Sequence, residues 1–282
     1  MLLLPALPVL LLALVACQAP IDTTPGPQPC NGDPALCGRS LDQVTLPGTH
    51  NSMSNADAGW LVPDQHHGIR RQLEDGVRAL MLDTWMWKDQ PYLCHGYCEL
   101  GAEPLADGLA EVQDFLYTHP DAVIVIIFED HVDADIMVAS LEASGLADRA
   151  WTWDGGALPT LGSLIDADQR VIITTESGSK GPAWYMPAWD LFFDTPYSFS
   201  TPEDFSCELN RGSPDNPLFL VNHWISDPLP DEAAATEVNQ EAVLGTRARA
   251  CAAKWGRSVN FLGVDFYDVG DLFPVASGLN AQ

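Results

Sequence analysis

Positive charge is scarce in this chain of 282 residues: 13 Lys and Arg stand against 39 Asp and Glu, a formal net charge of −26 at pH 7. Nucleic-acid binding needs clustered positive charge against the phosphate backbone, so the composition argues against such a partner. Intrinsic disorder is also excluded, because 46% of the residues are hydrophobic, which suffices for one large core. The length allows either one α/β barrel or two ordinary domains.

The sequence has one long apolar run, over residues 2–16, and nothing later resembles a membrane-spanning segment. The run is shorter than the roughly 18–20 residues that a spanning helix needs, so residues 1–16 are predicted to be a cleaved export signal. The tetrapeptide that ends in Cys17 resembles a bacterial lipobox, which implies lipidation of Cys17. However, no Lys or Arg precedes the apolar stretch. We expect an exported protein, either a cell-envelope lipoprotein anchored to a membrane surface or a plainly secreted protein.

Pro and Gly are concentrated just after this segment. Their density predicts an extended linker over residues 17–40 that holds the folded domain, residues 41–282, away from the membrane.

The seven cysteines become six if Cys17 is an anchor, and an even number suits an exported chain with disulfides. The spacing predicts three bridges: Cys30–Cys37, Cys94–Cys98 and Cys207–Cys251. Zinc binding by Cys94 and Cys98 is the alternative, but no second Cys/His pair at finger-like spacing accompanies them.

Short β-rich runs alternate with helical ones from Leu41 onward, and residues 122–128 show no polar alternation, as in a parallel strand covered on both faces. We find no internal repeat and no Gly-rich phosphate loop. The alternation predicts an α/β fold, a single distorted TIM-like (β/α) barrel, with a doubly wound sheet as the alternative. The predicted strands are Val44–Leu46, Ala79–Asp83, Ala122–Phe128, Val171–Thr175, Leu218–Asn222 and Val259–Val264. The predicted helices are Gln65–Asp75, Leu105–Thr118, Ala134–Ala143 and Glu232–Lys254.

Catalytic groups of barrels lie where strands end, so polar residues that follow apolar runs are the candidates. This criterion selects His50, Asp83, His95, Glu129 and Asp265. Two histidines at one barrel mouth suit phosphodiester chemistry, because a neutral imidazole can remove a proton from a hydroxyl while a protonated one donates to the leaving oxygen. Carboxylates beside them can orient the imidazoles or bind a divalent cation.

Three segments carry a resemblance to a known family: residues 41–52 with Pro47-Gly48-Thr49-His50-Asn51-Ser52, residues 72–83, and Leu93-Cys94-His95-Gly96. With weaker matches at Phe128-Glu129 and residues 263–267, the chain resembles the X-domain family of phosphatidylinositol-specific phospholipases C, as a bacterial exported member. The resemblance covers about residues 41–280.

The resemblance implies that His50 is the general base that deprotonates the inositol 2-hydroxyl. His95 would be the general acid on the leaving glycerol oxygen, and Asp265 would support His50. The implied substrate is phosphatidylinositol or a glycosylated relative, cleaved through a cyclic inositol phosphate. The alternatives are another head group, of glycerophosphodiester or sphingomyelin type, and a catalytically silent barrel that binds lipid head groups or glycans.

In calcium-dependent members of the family the metal ligands correspond to Asn51, Asp83 and Glu129. Met81 stands where those members carry a second acidic residue, and Trp85 stands where metal-independent members carry an arginine. A calcium site completed by water is one interpretation, and positive charge from Arg78 or Lys88 is the other. The global charge of −26 favours a local cation, since an anionic phosphodiester otherwise approaches slowly.

We expect a monomer that acts on a phospholipid or other phosphodiester. Two further histidines are weaker candidates for the site: His131, after Glu129, and His223, at the end of an apolar run.

Overall fold

The computed structural model describes residues 29–178, 181–226 and 229–282. The expected signal peptide, Cys17 and residues 17–28 of the expected linker lie outside these ranges. The described part contains ten strands, β1 Leu46–Thr49, β2 Ala79–Trp87, β3 Gln90–Leu93, β4 Glu103–Pro104, β5 Ile124–Asp130, β6 Val171–Thr175, β7 Tyr185–Pro187, β8 Phe192–Asp194, β9 Leu218–His223 and β10 Phe261–Val264. Its α-helices are α1 Ile69–Asp75, α2 Leu105–Thr118, α3 Ala134–Ala143, α4 Leu161–Asp166, α5 Ala188–Leu191, α6 Glu232–Val238, α7 Leu244–Trp255 and α8 Leu272–Asn280.

All ten strands belong to one sheet, whose main path runs β7-β6-β5-β2-β1-β10-β9-β8. Every neighbouring pair on this path is parallel, and β3 and β4 extend from β2 as antiparallel strands. The two ends of the path, β7 and β8, are joined by the short helix α5. The predicted distorted TIM-like α/β barrel is confirmed.

Alternate residues of one strand enter two different cores, as the two-residue period of a strand requires. In β2, Leu80 and Leu82 pack toward the helices, in a core that contains Phe115 of α2. Ala79 and Met81 face the barrel interior with Phe261. Asp83 continues the inward-facing series, so the same alternation that builds the core turns its carboxylate toward the barrel.

Residues 29–40 do not form the extended spacer that we predicted through residue 40. A disulfide joins Cys30 to Cys37, and Cys30 and Leu36 are buried in the interior core. The backbone N–H of Asn31 donates to the carbonyl of Asp121 over 3.0 Å. The disulfide closes this segment into a loop, and the loop packs its buried leucine against the barrel instead of extending away from it.

Most predicted elements are found with their ends moved by a few residues, but the helix expected over Glu232–Lys254 is two helices. The chain leaves the helical path at Asn239, whose buried carbonyl accepts a hydrogen bond from the backbone of Asp271 over 2.8 Å. Its side-chain Nδ2 donates to the carbonyl of Asp265, also over 2.8 Å. These tertiary bonds replace the helical ones that the alanine-rich sequence favours.

All three predicted disulfides are formed: Cys30–Cys37, Cys94–Cys98 and Cys207–Cys251. Among the described residues, no helix has the length and apolar character needed to cross a bilayer.

Candidate active site

His50 and Asp265 meet because their strands are paired in register. Thr49 lies opposite Val264 in the parallel ladder of β1 and β10, so the residues that follow these strands emerge side by side. His50 Nδ1 lies 2.8 Å from Asp265 Oδ1, and Asp265 is only 2% exposed. With Nδ1–H donating to this carboxylate, Nε2 is the nitrogen left to accept a proton.

The turn after β1 is held by side chains that satisfy its backbone. Gln65 Nε2 donates to the carbonyls of His50 and Val264 over 2.7 and 3.0 Å, tying the two strand ends together. Asn51 adopts a left-handed backbone with φ of 44°, which Asn tolerates better than most residues. The turn therefore fixes the position of the His50 imidazole.

Asp64 is a buried carboxylate between the two histidines. Asn51 Nδ2 donates to Asp64 Oδ1 over 3.1 Å, and the same Oδ1 lies 3.7 Å from His50 Nδ1. Asn51 Nδ2 also lies 3.3 Å from His95 Nδ1. Asp64 and Asn51 thus form a polar bridge that runs from one imidazole to the other.

His95 lies on a short loop that the Cys94–Cys98 disulfide closes. The backbone N–H of Cys94 donates to the carbonyl of Asp83 over 3.2 Å, which attaches the loop to β2. His95 Nε2 lies 4.0 Å from Asp83 Oδ2. The rings of His50 and His95 lie edge to face, with centroids 6.4 Å apart and an interplanar angle of 77°.

The two imidazoles line one cavity of about 340 Å³. Three carboxylates line the same cavity from adjacent strands: Asp83 pairs with Glu129 in register, and Glu176 follows Thr175, which lies opposite Phe128. The remaining lining residues are Met81, Leu82, Ile127, Tyr197, Ser198, Arg211, Trp224 and Ser226.

Arg211 brings a fixed positive charge to this cavity. Its guanidinium contacts Glu176 Oε2 and Asp194 Oδ2, each over 2.6 Å, and lies over the rings of Trp189 and Tyr197 with centroid distances of 4.0 and 4.6 Å. Two acidic partners and two aromatic faces hold the group in one place.

Neither Arg78 nor Lys88, the cations considered from the sequence, lines the cavity. Arg78 is buried and donates to the carbonyls of Leu73 and Val77, while Lys88 lies over the ring of Trp87. The positive charge at the site therefore comes from Arg211 instead.

Burial is the largest cause of the pKa shifts of the site residues. It lowers the pKa of His50, against an opposing effect of the nearby Asp64 charge, and it lowers the pKa of His95. Burial raises the pKa of Asp265 well above its usual value. For Asp83, burial and then the negative charges of Glu129, Asp64 and Glu176 raise the pKa well above its usual range.

The structure brings most of the predicted site residues together. His50, His95, Asp83 and Glu129 line the cavity, and Asp265 lies directly behind His50. Asn51 is 1% exposed and does not line the cavity, because its amide is engaged with Asp64 and His95.

The two weaker histidine candidates do not reach the cavity. His131 Nε2 lies 3.0 Å from Glu129 Oε1, and its ring stacks on Trp85 with centroids 3.9 Å apart. His223 is fully buried, with Nε2 donating to the carbonyl of Val238 over 2.9 Å. His131 therefore contacts a cavity-lining carboxylate, and His223 is a core residue.

Four residues of the site were missed from the sequence. Glu176 follows the predicted strand Val171–Thr175, so the strand-end criterion could have found it. Trp224 directly follows β9, but the criterion selects polar residues and therefore does not select it. Asp64 and Arg211 lie in irregular segments without a motif, and no pattern in the sequence marks them.

Comparison with known proteins identifies a family and a fold. The family model described as PI-PLC X 1 matches residues 36–280. The chain is 28% identical to an uncharacterized secreted protein of the fungus Arthroderma benhamiae, covering 90% of this chain and 64% of that protein. It is 27% identical to a PI-PLC X domain-containing protein 1 of the same fungus, covering 89% of each. A PI-PLC X domain-containing protein of Arabidopsis thaliana is 28% identical, over 86% of this chain and 63% of that protein.

Solved structures of bacterial enzymes share the fold. The phosphatidylinositol-specific phospholipase C of Listeria monocytogenes superposes with a TM-score of 0.61 at 17% identity, covering 88% of this chain and 97% of that one. A Staphylococcus aureus phosphatidylinositol-specific phospholipase C, from a study of its membrane binding, gives 0.62 at 14% identity, covering 87% and 94%. At these identities the likeness concerns the fold.

Proposed function

Because the chain belongs to the PI-PLC X-domain family, with the phospholipase C-like phosphodiesterase fold, we propose that it cleaves a phosphatidylinositol-like phospholipid by paired-histidine acid/base catalysis. The observation that carries the proposal is the placement of the His50–Asp265 pair and His95 on one cavity, with ring centroids 6.4 Å apart. Because both imidazoles border this cavity, a phosphate bound in the cavity would lie beside both of them.

In this mechanism His50 Nε2 accepts the proton of the inositol 2-hydroxyl, whose oxygen attacks the phosphorus of the adjacent phosphodiester. The bond from phosphorus to the glycerol oxygen breaks, and His95 donates its proton to that oxygen. The products are a cyclic inositol phosphate and diacylglycerol. Asp265 orients His50 and stabilises the imidazolium that forms, as a buried carboxylate does for the histidine of a hydrolytic triad.

The carboxylates of the cavity suit a hard divalent cation such as Ca²⁺, which binds oxygen ligands. Asp83, Glu129 and Glu176 stand at the same level of three adjacent strands, and a cation there would relieve the repulsion that contributes to the raised pKa of Asp83. Asp83 and Glu129, which are paired in register, would hold it together with water, because Glu176 Oε2 is paired with Arg211. Asn51, the third ligand expected from the resemblance, is engaged elsewhere. The cation would neutralise charge on the substrate phosphate.

The test is release of cyclic inositol phosphate from phosphatidylinositol vesicles, with Ca²⁺ and with a chelator. His50→Ala and His95→Ala should each lower the rate by at least about a hundredfold, the lower end of what positioned acid/base groups contribute. His119→Ala is the matched control, because His119 lies at the end of α2 and does not line the cavity. A wild-type rate in His50→Ala would refute the mechanism.

A panel of head groups decides the substrate. Phosphatidylinositol, a glycosylated relative, a glycerophosphodiester and sphingomyelin share the phosphodiester but differ in the group that must reach the cavity. If only another head group is turned over, the protein is a phosphodiesterase with a substrate other than phosphatidylinositol. Head-group affinity without turnover at any divalent metal would indicate a binding protein.

We also propose export, supported by the three disulfides and by similarity to a secreted fungal protein, since disulfides persist in oxidising compartments. Lipidation of Cys17 would attach the barrel to a membrane. Mass spectrometry of the mature N-terminus distinguishes a lipidated Cys17 from a plainly secreted chain.

A further inference from the structure

Two buried carboxylates, those of Asp64 and Asp265, converge on one nitrogen of His50. Asp265 Oδ1 lies 2.8 Å from His50 Nδ1, and Asp64 Oδ1 lies 3.7 Å from the same atom. One ring nitrogen and one oxygen from each carboxylate lie within 4.8 Å of one another. Asp64 and Asp265 are 1% and 2% exposed. The three side chains therefore form a compact, buried set of donor atoms, which we refer to as the carboxylate–imidazole cluster.

The negative charge of this cluster is not balanced by an Arg or Lys side chain. In the described part of the chain, His50 is the only ion-pair partner of either carboxylate. The second oxygen, Oδ2, of both Asp64 and Asp265 is buried and accepts no hydrogen bond from a described residue. Burial of an ionised carboxylate without a partner is costly. The cluster therefore has unused ligand oxygens and a charge that a bound cation would offset.

The donor types of the cluster select the kind of cation. An imidazole nitrogen with carboxylate oxygens suits Zn²⁺, which binds three protein ligands and one water in its open sites. Ca²⁺ is a poor match, because it takes about six to eight ligands and all of them are oxygens. Two carboxylates also carry the charge that neutralises a divalent ion, so the filled cluster would bury no net charge.

We propose that the carboxylate–imidazole cluster binds Zn²⁺ through His50 Nδ1, Asp64 and Asp265, and that the bound ion inhibits the protein. This position is separate from the one that we propose for Ca²⁺ at Asp83 and Glu129. His50 lines the catalytic cavity and the two carboxylates of the cluster do not, so the ion reaches them past the imidazole.

The inhibition follows from the tautomer of His50. Zn²⁺ takes the lone pair of Nδ1, so the single proton of the neutral imidazole moves from Nδ1 to Nε2. A protonated Nε2 cannot accept the proton of the inositol 2-hydroxyl. The inhibitory effect rests on the proposed function, whereas the binding of Zn²⁺ does not.

Calorimetric titration of the full chain with Zn²⁺ at pH 7, in excess Ca²⁺, tests the binding. The wild type should bind one Zn²⁺ in the cluster, with X-ray absorption showing nitrogen and oxygen ligands at about 2.0–2.2 Å. Asp64→Asn should weaken this binding by at least about a hundredfold, because loss of an outer partner alone costs about 10- to 100-fold. Asp57→Asn is the matched control, since the Asp57 carboxylate also lies 2.8 Å from a histidine nitrogen, on His67, but is 63% exposed.

Two results of the titration would overturn the inference: no binding of Zn²⁺ by the wild type, or equal affinities of Asp64→Asn and Asp57→Asn. Glu129→Gln should bind Zn²⁺ as the wild type does. Loss of binding in Glu129→Gln with full binding in Asp64→Asn would place the ion among the carboxylates of the catalytic cavity and refute the cluster.

Cleavage of phosphatidylinositol over the same range of Zn²⁺ tests the inhibition. Activity of the wild type should fall as the calorimetric site fills and return with a zinc-selective chelator. Asp64→Asn should need at least about a hundredfold more Zn²⁺ for the same fractional loss. Full activity with the site filled would overturn the inhibitory role. If the protein cleaves no phosphodiester, the proposed function fails and the titration alone decides the site.

Discussion

The imidazole of His50 lies flat against the indole of Trp224, with ring centroids 3.8 Å apart and an angle of 5° between the planes. Trp224 is 3% exposed and follows β9, so a rigid strand end sets the plane in which the proposed base can lie. Asp265 fixes the rotation of the ring through Nδ1, and Trp224 fixes its tilt.

Replacing Trp224 should lower kcat without removing any group that exchanges a proton. We expect Trp224→Leu to reduce kcat by about ten- to a hundredfold, because a displacement on the order of 1 Å of a catalytic group has such an effect. Trp224→Phe keeps a flat ring and should recover most of the loss. Steady-state kinetics, with thermal unfolding to confirm folding, measures both variants. Equal rates in Trp224→Leu and the wild type would show that the stacking has no positioning role.

The hydrogen bond between His50 and Asp265 predicts that the isosteric substitution Asp265→Asn lowers kcat strongly. Asp265→Asn removes the charge that supports the imidazolium and favours the wrong tautomer of His50, so kcat should fall by about 10²- to 10⁴-fold. Stability should not fall with it, because burial already raises the pKa of this carboxyl and a neutral amide avoids the desolvation cost.

A double-variant cycle with His50→Ala separates this coupling from an independent effect of Asp265. If Asp265 acts through His50, the double variant should be no slower than His50→Ala alone. Additive losses would assign Asp265 a separate task.

The proposed reaction should have its optimum on the acidic side of the ordinary histidine pKa of 6.5. His50 must be neutral to accept a proton, so the rate falls as pH drops below its pKa. His95 must be protonated to donate, so the rate falls as pH rises above its pKa. Burial lowers the pKa of both residues, which places both limbs of the bell below 6.5. A profile of kcat/KM against pH checks this, and an optimum above 7.5 would contradict the assignment.

Asp64 adds a second expectation for the same profile. Its negative charge raises the pKa of both His50 and His95, so Asp64→Asn should move both limbs to lower pH. His119→Ala should leave them in place.

Relative to the wild type, Asp64→Asn should become more stable as pH rises. Burial and then the charge of Asp265 raise the pKa of Asp64 from 3.8 to about 6. A carboxyl whose pKa is higher in the folded state favours folding at low pH, where it is protonated. This stabilisation is lost as pH rises from 3.8 to about 6. At neutral pH Asp64→Asn should therefore be more stable than the wild type by on the order of 3 kcal/mol. Thermal unfolding at pH 4 and pH 7 measures the difference, which should be small at pH 4.

Sequence patterns predicted the barrel and the two histidines because both depend on local order. The apolar run of β5 specifies a buried strand, and His50 lies in a turn whose residues are fixed by its backbone. Arg211 could not be predicted in the same way, since it takes its place through Glu176 and Asp194, which lie 35 and 17 residues away in sequence. The break at Asn239 has the same origin, because its partners are Asp265 and Asp271 rather than neighbours in the helix.

Removal of the Cys94–Cys98 disulfide should mainly lower activity, whereas removal of the Cys207–Cys251 disulfide should mainly lower stability. Cys94 and Cys98 are 4 residues apart and enclose His95, whereas Cys207 and Cys251 are 44 residues apart and do not line the catalytic cavity. The loop-entropy relation gives about 2 kcal/mol for the short loop and about 4 kcal/mol for the long one.

Replacing Cys94 and Cys98 by Ser should therefore lower kcat, since the loop that presents His95 is released, with a small loss of stability. Replacing Cys207 and Cys251 by Ser should lower the unfolding temperature more and leave kcat of the folded fraction unchanged. Kinetics and thermal unfolding on both double variants test the contrast, and a normal kcat in the Cys94/Cys98 variant would show that the turn holds His95 without its disulfide.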